Sequence, residues 1–308
     1  MPFTMEAHMD RRKFLKMTAV AGIGMAIPGN LFHFVRNIEA AEGADLIVAK
    51  GSSPSQTTRA ALEALGGMKR FIAKGDVVVV KPNIGWDRTP EYAATTNPDV
   101  VGTVIKLCYE AGAKKVKVFD HTVNNAKRCY TQSGIFEAAR VSGAEISYID
   151  DRRFRDVPLN GIALKSWPLY SDILEADKVI NIPIAKTHGL AGLTLSMKNW
   201  MGVMGGSRGR IHQRLDESLV DVAKVIRPAL TVLDAVRILT AGGPQGGNLS
   251  NVKILNTIVI GTDQVAVDSY GATLFGMKGS DLGVVRLAHK AGLGRMDLSG
   301  IKIKRIHI

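Results

Sequence analysis

In the stretch NIPIAKTHGLAGLTLSMKNWMGVMGGSRGR (181–210), an apolar run ends in Lys186-Thr187-His188, and Lys198, Asn199, Arg208 and Arg210 follow on a path rich in glycine. Ammonium groups act as point charges for phosphate or carboxylate, and a guanidinium offers a planar fork to the same anions. Either these side chains line an anion site or the segment is a solvated loop. In GVMGGSRGRIHQ (202–213) the glycines would let backbone N–H groups approach an anion ahead of a helix from 214, with Arg208 and Arg210 to neutralise it. A surface lid is the alternative. No GxxxxGK[S/T] or GxGxxG motif follows the N-terminal segment, so P-loop and dinucleotide chemistry have no motif behind them.

Other strand-like runs end in the same manner. Lys81-Pro82-Asn83 follow VVVV, Asp120-His121-Thr122 follow VKVF, Asp234 follows LTVL, and Thr262-Asp263 follow TIVIG. Ligands of open parallel sheets bind outside the carboxyl ends of the strands, so these five sets are expected along one edge. Lys81, Asn83, Lys186 and Asn199 would then bind the anion beside Arg208 and Arg210, and Lys198 would hold and polarise it. His188 or His121 would serve as general acid or base, because imidazole titrates near neutral pH. Asp120, His121 and His188 could instead hold a divalent metal: oxygen-rich ligation suits Mg²⁺, Ca²⁺ or Mn²⁺, and added histidines suit zinc or iron. Asp234, Asp263 and Asp268 stand at the site edge, or, as Asp120 also could, cap helices or satisfy backbone amides. Each lysine could equally be solvated, and each histidine an ordinary hydrogen-bonded one.

Strand candidates lie at 45–50, 76–82, 115–120, 145–150, 178–185, 230–235 and 256–262, several of them unbroken Val/Ile runs of the kind buried on both faces. Helical patterns alternate with them. One ends at Gly66-Gly67, one opens with Asn97 as cap and Pro98 in the first turn, one covers 214–228, and one covers 263–276. Alternating βα units predict an α/β fold: a largely parallel sheet with helices on both faces, doubly wound and Rossmann-like, as a single domain over 42–308. The irregular stretch 151–175 is an insertion or a short hairpin, and GGPQGG (242–247) is a turn placed to line the same edge.

The chain has 308 residues, 46% hydrophobic and 22% charged, which excludes a disordered chain and supplies a large core. Its net charge of +12 is scattered, with no run of five like charges, so nucleic acid is not expected as a partner. Near the N-terminus, Arg11-Arg12-Lys13-Phe14-Leu15-Lys16 precede a weakly apolar run from Met17 to Ile27, and Ala40-Ala41 follow. That run is roughly 11 residues, short of the ~20 needed to span a bilayer. The layout resembles a twin-arginine export signal, with Asp10 where Ser or Thr is commoner, and an amphipathic helix is the alternative. As a signal, residues 1–41 imply the twin-arginine machinery as partner and a periplasmic or other extracytoplasmic destination. Membrane contact would come only through an uncleaved signal. Two cysteines, Cys108 and Cys129, can form neither a CxxC zinc site nor a four-thiolate cluster, and a disulfide between them stays open.

KPNIGWD, VFDHT, INIPIAKTHGLAGLTLSMKNWMG, GPQGG and GTDQVAVDSYGATLFG closely resemble domain-of-unknown-function family 362, in family order from about residue 45 to the C-terminus. The resemblance supplies shared positions (Lys81, Asn83, Asp120, His121, Lys186, His188, Lys198, Asn199, Asp263 and Asp268) but no reaction. Some members of that family carry ferredoxin-like cysteine clusters. This chain lacks those cysteines, so an iron–sulfur cluster is not expected. Three functions remain in view: an exported enzyme for a small anionic substrate, metal-assisted or not; a non-catalytic metal-, cofactor- or anion-binding or maturation protein; and an electron-transfer accessory protein.

Overall fold

A computed structural model describes residues 44–308; the expected signal segment lies outside them. A sheet runs in the order β12-β1-β11-β10-β7-β2-β3-β4. Its strands are β1 (Leu46–Lys50), β2 (Val77–Pro82), β3 (Lys115–Val118), β4 (Glu145–Ile146), β7 (Lys178–Ile182), β10 (Leu230–Leu239), β11 (Val252–Gly261) and β12 (Ile303–His307). Strand β8 (Ile184–His188) adds to β10 in parallel, and β9 (Gly192–Thr194) folds back on β8. The β10-β7-β2-β3-β4 block is parallel throughout. The expected α/β fold with a largely parallel sheet is what forms.

The Val run of β2 shows why this sheet is covered twice. Val78 and Val80 face one apolar layer and Val79 the other, all fully buried. Burying one such side chain contributes about 1.5–3 kcal/mol. Helices α1 (Pro54–Ala64), α2 (Pro98–Glu110), α3 (Ala126–Gln132) and α4 (Ile135–Val141) cover the first layer. The second is covered by α7 (Leu215–Val225), α8 (Gln264–Thr273) and α9 (Gly283–Lys290), with the shorter α5 (Ser171–Glu175) and α6 (Ser196–Asn199) beside them. Asn97 caps α2 by accepting from Asp99 N, and Pro98 occupies its first turn, as expected.

The strand expected over 178–185 is two strands. Pro183 has no N–H to give a ladder, so the chain breaks there, and the Pro183 carbonyl accepts from Asp234 N instead. Within 151–175 the hairpin alternative forms: β5 (Phe154–Pro158) pairs antiparallel with β6 (Ser166–Tyr170).

The placement of Asp263 needs correction. Strand β11 runs antiparallel to both β1 and β10, so its carboxyl end lies at the opposite edge from those of β2, β3 and β8. Asp263 accepts from Val265 N and Ala266 N as the cap of α8, and pairs with Arg295 there. Cys108 and Cys129 are free and buried. Among the described residues, no helix is long and apolar enough to cross a membrane.

Candidate functional site

Period-two alternation puts Lys81 on the same face as Val79, under the turn that follows α6, where its ammonium is fully buried. Lys81 Nζ lies 2.8 Å from Asp120 Oδ1 and donates to the Pro82 carbonyl at 2.6 Å. Asp120 Oδ2 accepts from Ile84 N, which ties the ends of β2 and β3 together. Lys186, on β8 and also buried, donates to Asn83 Oδ1 at 3.2 Å and to the Ala94 carbonyl.

Asn199 holds the centre by its side-chain amide. Its Oδ1 accepts from Asn83 Nδ2 at 3.1 Å, and its Nδ2 donates to Asn181 Oδ1 at 2.8 Å and to the Lys81 carbonyl at 3.2 Å. Four residues make α6 too short to stand alone. It is held at its start from outside: the buried carboxylate of Asp268, on α8, accepts from Ser196 N, Ser196 Oγ and Met197 N. Asp268 therefore positions Lys198 and Asn199 from behind. Burial pushes its carboxyl up to about 7, against the hydrogen bonds from Ser196 and Met197.

Lys198 is 9% exposed, and among the described residues the only polar neighbour of its Nζ is the Met201 sulfur. Arg208 donates to the carbonyls of His121, Met201 and Thr122, all backbone, and among the described residues no carboxylate is in ion-pair contact with it. Lys81, Lys186, Lys198 and Arg208 act on one another electrostatically around Asp120. Four cations against one carboxylate leave three positive charges in excess when all are ionised.

The titrations follow from that excess. Burial first, then repulsion by Lys198 and Lys81 against the attraction of Asp120, bring Lys186 down to about 7. Burial and Arg208 bring Lys198 to about 8. Burial also lowers Lys81, with Asp120 opposing. His188 falls to about 3 through burial and the charges of Lys198, His212 and Lys186. Its Nδ1 accepts from Leu190 N and Ala191 N, so its hydrogen sits on Nε2. A neutral hydrogen-bond donor, not an acid–base group poised near pH 7, is what the surroundings make of His188.

The metal alternative does not assemble. Among the described residues, no three His, Cys, Asp or Glu side chains gather where an ion could be held. Asp120 is engaged by Lys81, and His121 turns Nδ1 to the Met204 carbonyl at 2.8 Å. Arg210 also departs from expectation: it is exposed and lines a surface depression with Trp167 and Arg214. Asp234 lies within β10, where the strand continues past 235, and accepts from Asn97 N and Val236 N. GPQGG does flank the site edge, with Gly243 N donating to Thr187 Oγ1.

Four contributors escaped the sequence reading: Asn181, His212, Gly202 and Met201. Asn181 left a signal, a polar residue inside a buried apolar strand. His212 stacks on His188 with ring centroids 6.0 Å apart. At Gly202, an added Cβ would stand 1.7 Å from Asp120 Oδ1 and 2.6 Å from Lys81 Nζ. Gly202→Ala is accordingly expected to split the ion pair and cost on the order of 2–4 kcal/mol, by strain and by a stranded charge. Urea unfolding checks it, and a loss below about 0.5 kcal/mol would show that the turn shifts freely.

Fold and site together define an open α/β protein with a buried basic cluster at the carboxyl edge of its parallel strands. The chain belongs to the family described as Domain of unknown function (DUF362), whose model matches residues 78–273 and so spans the whole cluster. A thylakoid-associated protein of Synechocystis sp. is 30% identical over 205 residues, 64% of this chain and 63% of that protein. The chain thus spans a little under two-thirds of that relative's length. Among solved structures, the lactate racemase apoprotein of Thermoanaerobacterium thermosaccharolyticum aligns with 76% of this chain and 57% of its own, at a TM-score of 0.43 and 14% identity. A Thermotoga maritima protein aligns over 77% and 60%, at a TM-score of 0.37 and 11% identity.

Proposed function

We propose that the protein is an exported enzyme that binds a small carboxylate or phosphate among Lys81, Lys186, Lys198 and Arg208 and acts on it there. One observation carries the reading: Lys81, Lys186 and Lys198 lie buried with Arg208 half-buried beside them, and the carboxylate among them pairs with Lys81 alone. A fold does not retain such a cluster for stability, since buried unpaired charge costs several kcal/mol. An anion offsets that cost. The test is thermal unfolding against a panel of phosphates and carboxylates, with the active anion expected to raise the Tm and Lys186→Met to abolish the rise.

The anion binds the ammonium forms of Lys186 and Lys198, whose values are about 7 and about 8. Affinity is therefore level below pH 7 and falls above it, by up to about tenfold per pH unit for each lysine that must take up a proton. Binding calorimetry in two buffers of different ionisation heat checks this through the protons absorbed. Affinity that rises from pH 7 to 9 would contradict it.

A binding or maturation role without turnover has one observation in its favour. His188, held neutral with its hydrogen on Nε2, is not poised as the acid or base that was one of the two expected. Export rests on Arg11-Arg12 and the short apolar run after them. Replacing both arginines by lysine in the full chain should leave the protein in the cytoplasm. Unchanged export would remove the twin-arginine route and its machinery as a partner.

A further inference from the structure

The three buried lysines of the cluster are held differently. Lys81 Nζ has Pro82 O, Asp120 Oδ1 and, at 3.5 Å, Asn199 Oδ1 around it. Lys186 Nζ has Asn83 Oδ1 and Ala94 O. An ammonium has three hydrogens to satisfy, and these two have found oxygen acceptors. Lys198 Nζ has no oxygen acceptor among the described residues, although nine-tenths of the residue is buried. Its amine is thus the group of the cluster left for a ligand. Burial first, and then the charge of Arg208, favour the neutral, nucleophilic form, and its value of about 8 agrees.

Beside it, Arg208 uses both hydrogens of Nη1 and one of Nη2 on backbone carbonyls, and among the described residues nothing takes its Nε–H or its other Nη2–H. Two donors of one guanidinium suit a carboxylate. The combination asks for a small molecule that carries a carboxylate and, next to it, a carbon that an amine attacks.

We propose that Lys198 condenses with the carbonyl of a small 2-oxo acid to form an imine. The proposal rests on the anion-site reading and adds to it the reacting atom and the substrate class. The Nζ lone pair attacks the carbonyl carbon and a C–N bond forms. The two N–H hydrogens of the neutral amine pass to the carbonyl oxygen, the C–O bond breaks, and water leaves with no change in oxidation state. The product is a C=N bond at Nζ, and the neighbouring cations hold the carboxylate.

The test is reductive trapping. The purified protein is incubated with pyruvate or 2-oxoglutarate and cyanoborohydride at mildly alkaline pH, then analysed by intact mass and peptide mapping. One adduct on Lys198 is expected, lost in urea, diminished by excess inorganic phosphate and absent from Lys198→Arg, with circular dichroism showing that this variant is folded. Adduct spread over surface lysines, or formed on Lys186, overturns the proposal. No adduct, with a Tm still raised by the same oxo acids, overturns the imine and leaves the anion site standing. No adduct and no Tm rise with any anion of the panel overturns both.

Discussion

Lys198→Met should make the ligand-free protein more stable while abolishing its affinity for anions. Methionine matches lysine in length and flexibility and fills the same apolar space. Since Lys198 Nζ donates to no oxygen among the described residues, its removal strands no oxygen acceptor there. What disappears is a buried charge whose proton is held at about 8, below the 10.5 of a free lysine. The depressed value means that the folded state disfavours the charged form. That penalty is fully present below the folded value and fades as pH rises from there toward the unfolded one. The gain from Lys198→Met is therefore largest near neutral pH, on the order of 1–3 kcal/mol, and vanishes at strongly alkaline pH. Urea unfolding of both proteins across that range measures it. A variant less stable at pH 7 would show that Lys198 has a structural partner.

Asp120→Asn should act in the opposite direction. The substitution keeps the shape and an oxygen for Ile84 N but removes what is, among the described residues, the one carboxylate acting on these four cations. Lys81 is fully buried and Asp120 3% exposed, so water cannot take over the lost charge. Breaking such a pair from one side costs about 3–5 kcal/mol, much of it the penalty on the charge left behind. Adding Lys81→Met to Asp120→Asn should recover a large part of the loss. The two single variants and the double variant, unfolded in urea, form a cycle that isolates the coupling. Additive losses would mean that the pair carries no special weight.

Much of this is legible in the sequence. The Val/Ile runs and the Asn97-Pro98 start placed the strands and α2, because double burial and capping are local in sequence. Lys81, Asn83, Asp120, Lys186, Lys198, Asn199 and Arg208 do come together, since parallel strands send their carboxyl ends to one edge.

Strand direction was not legible. Periodicity is the same whichever way a strand runs, and antiparallel β11 carried Asp263 to the far edge. For Asp234 and Asp268 the alternative expectation forms, a carboxylate that satisfies backbone amides. Their oxygens are spent on backbone N–H groups of distant segments, Asn97 and Ser196-Met197, pairings that no local pattern encodes. His188 departs from expectation because burial first, and then the charges of Lys198, His212 and Lys186, remove the ordinary imidazole value. Gly202 had no distinguishing mark, because the need for glycine arises from Asp120 and Lys81 crossing beneath it.

We take this cluster of cations to exist to hold an anion. Isothermal titration of the wild-type protein and of Lys198→Met with phosphate and small carboxylates, at pH 6.5, tests it most directly. Saturable binding of one anion per chain to the wild type, and none to the more stable variant, is the predicted result. Equal binding by both, or none by a folded wild type, would contradict it.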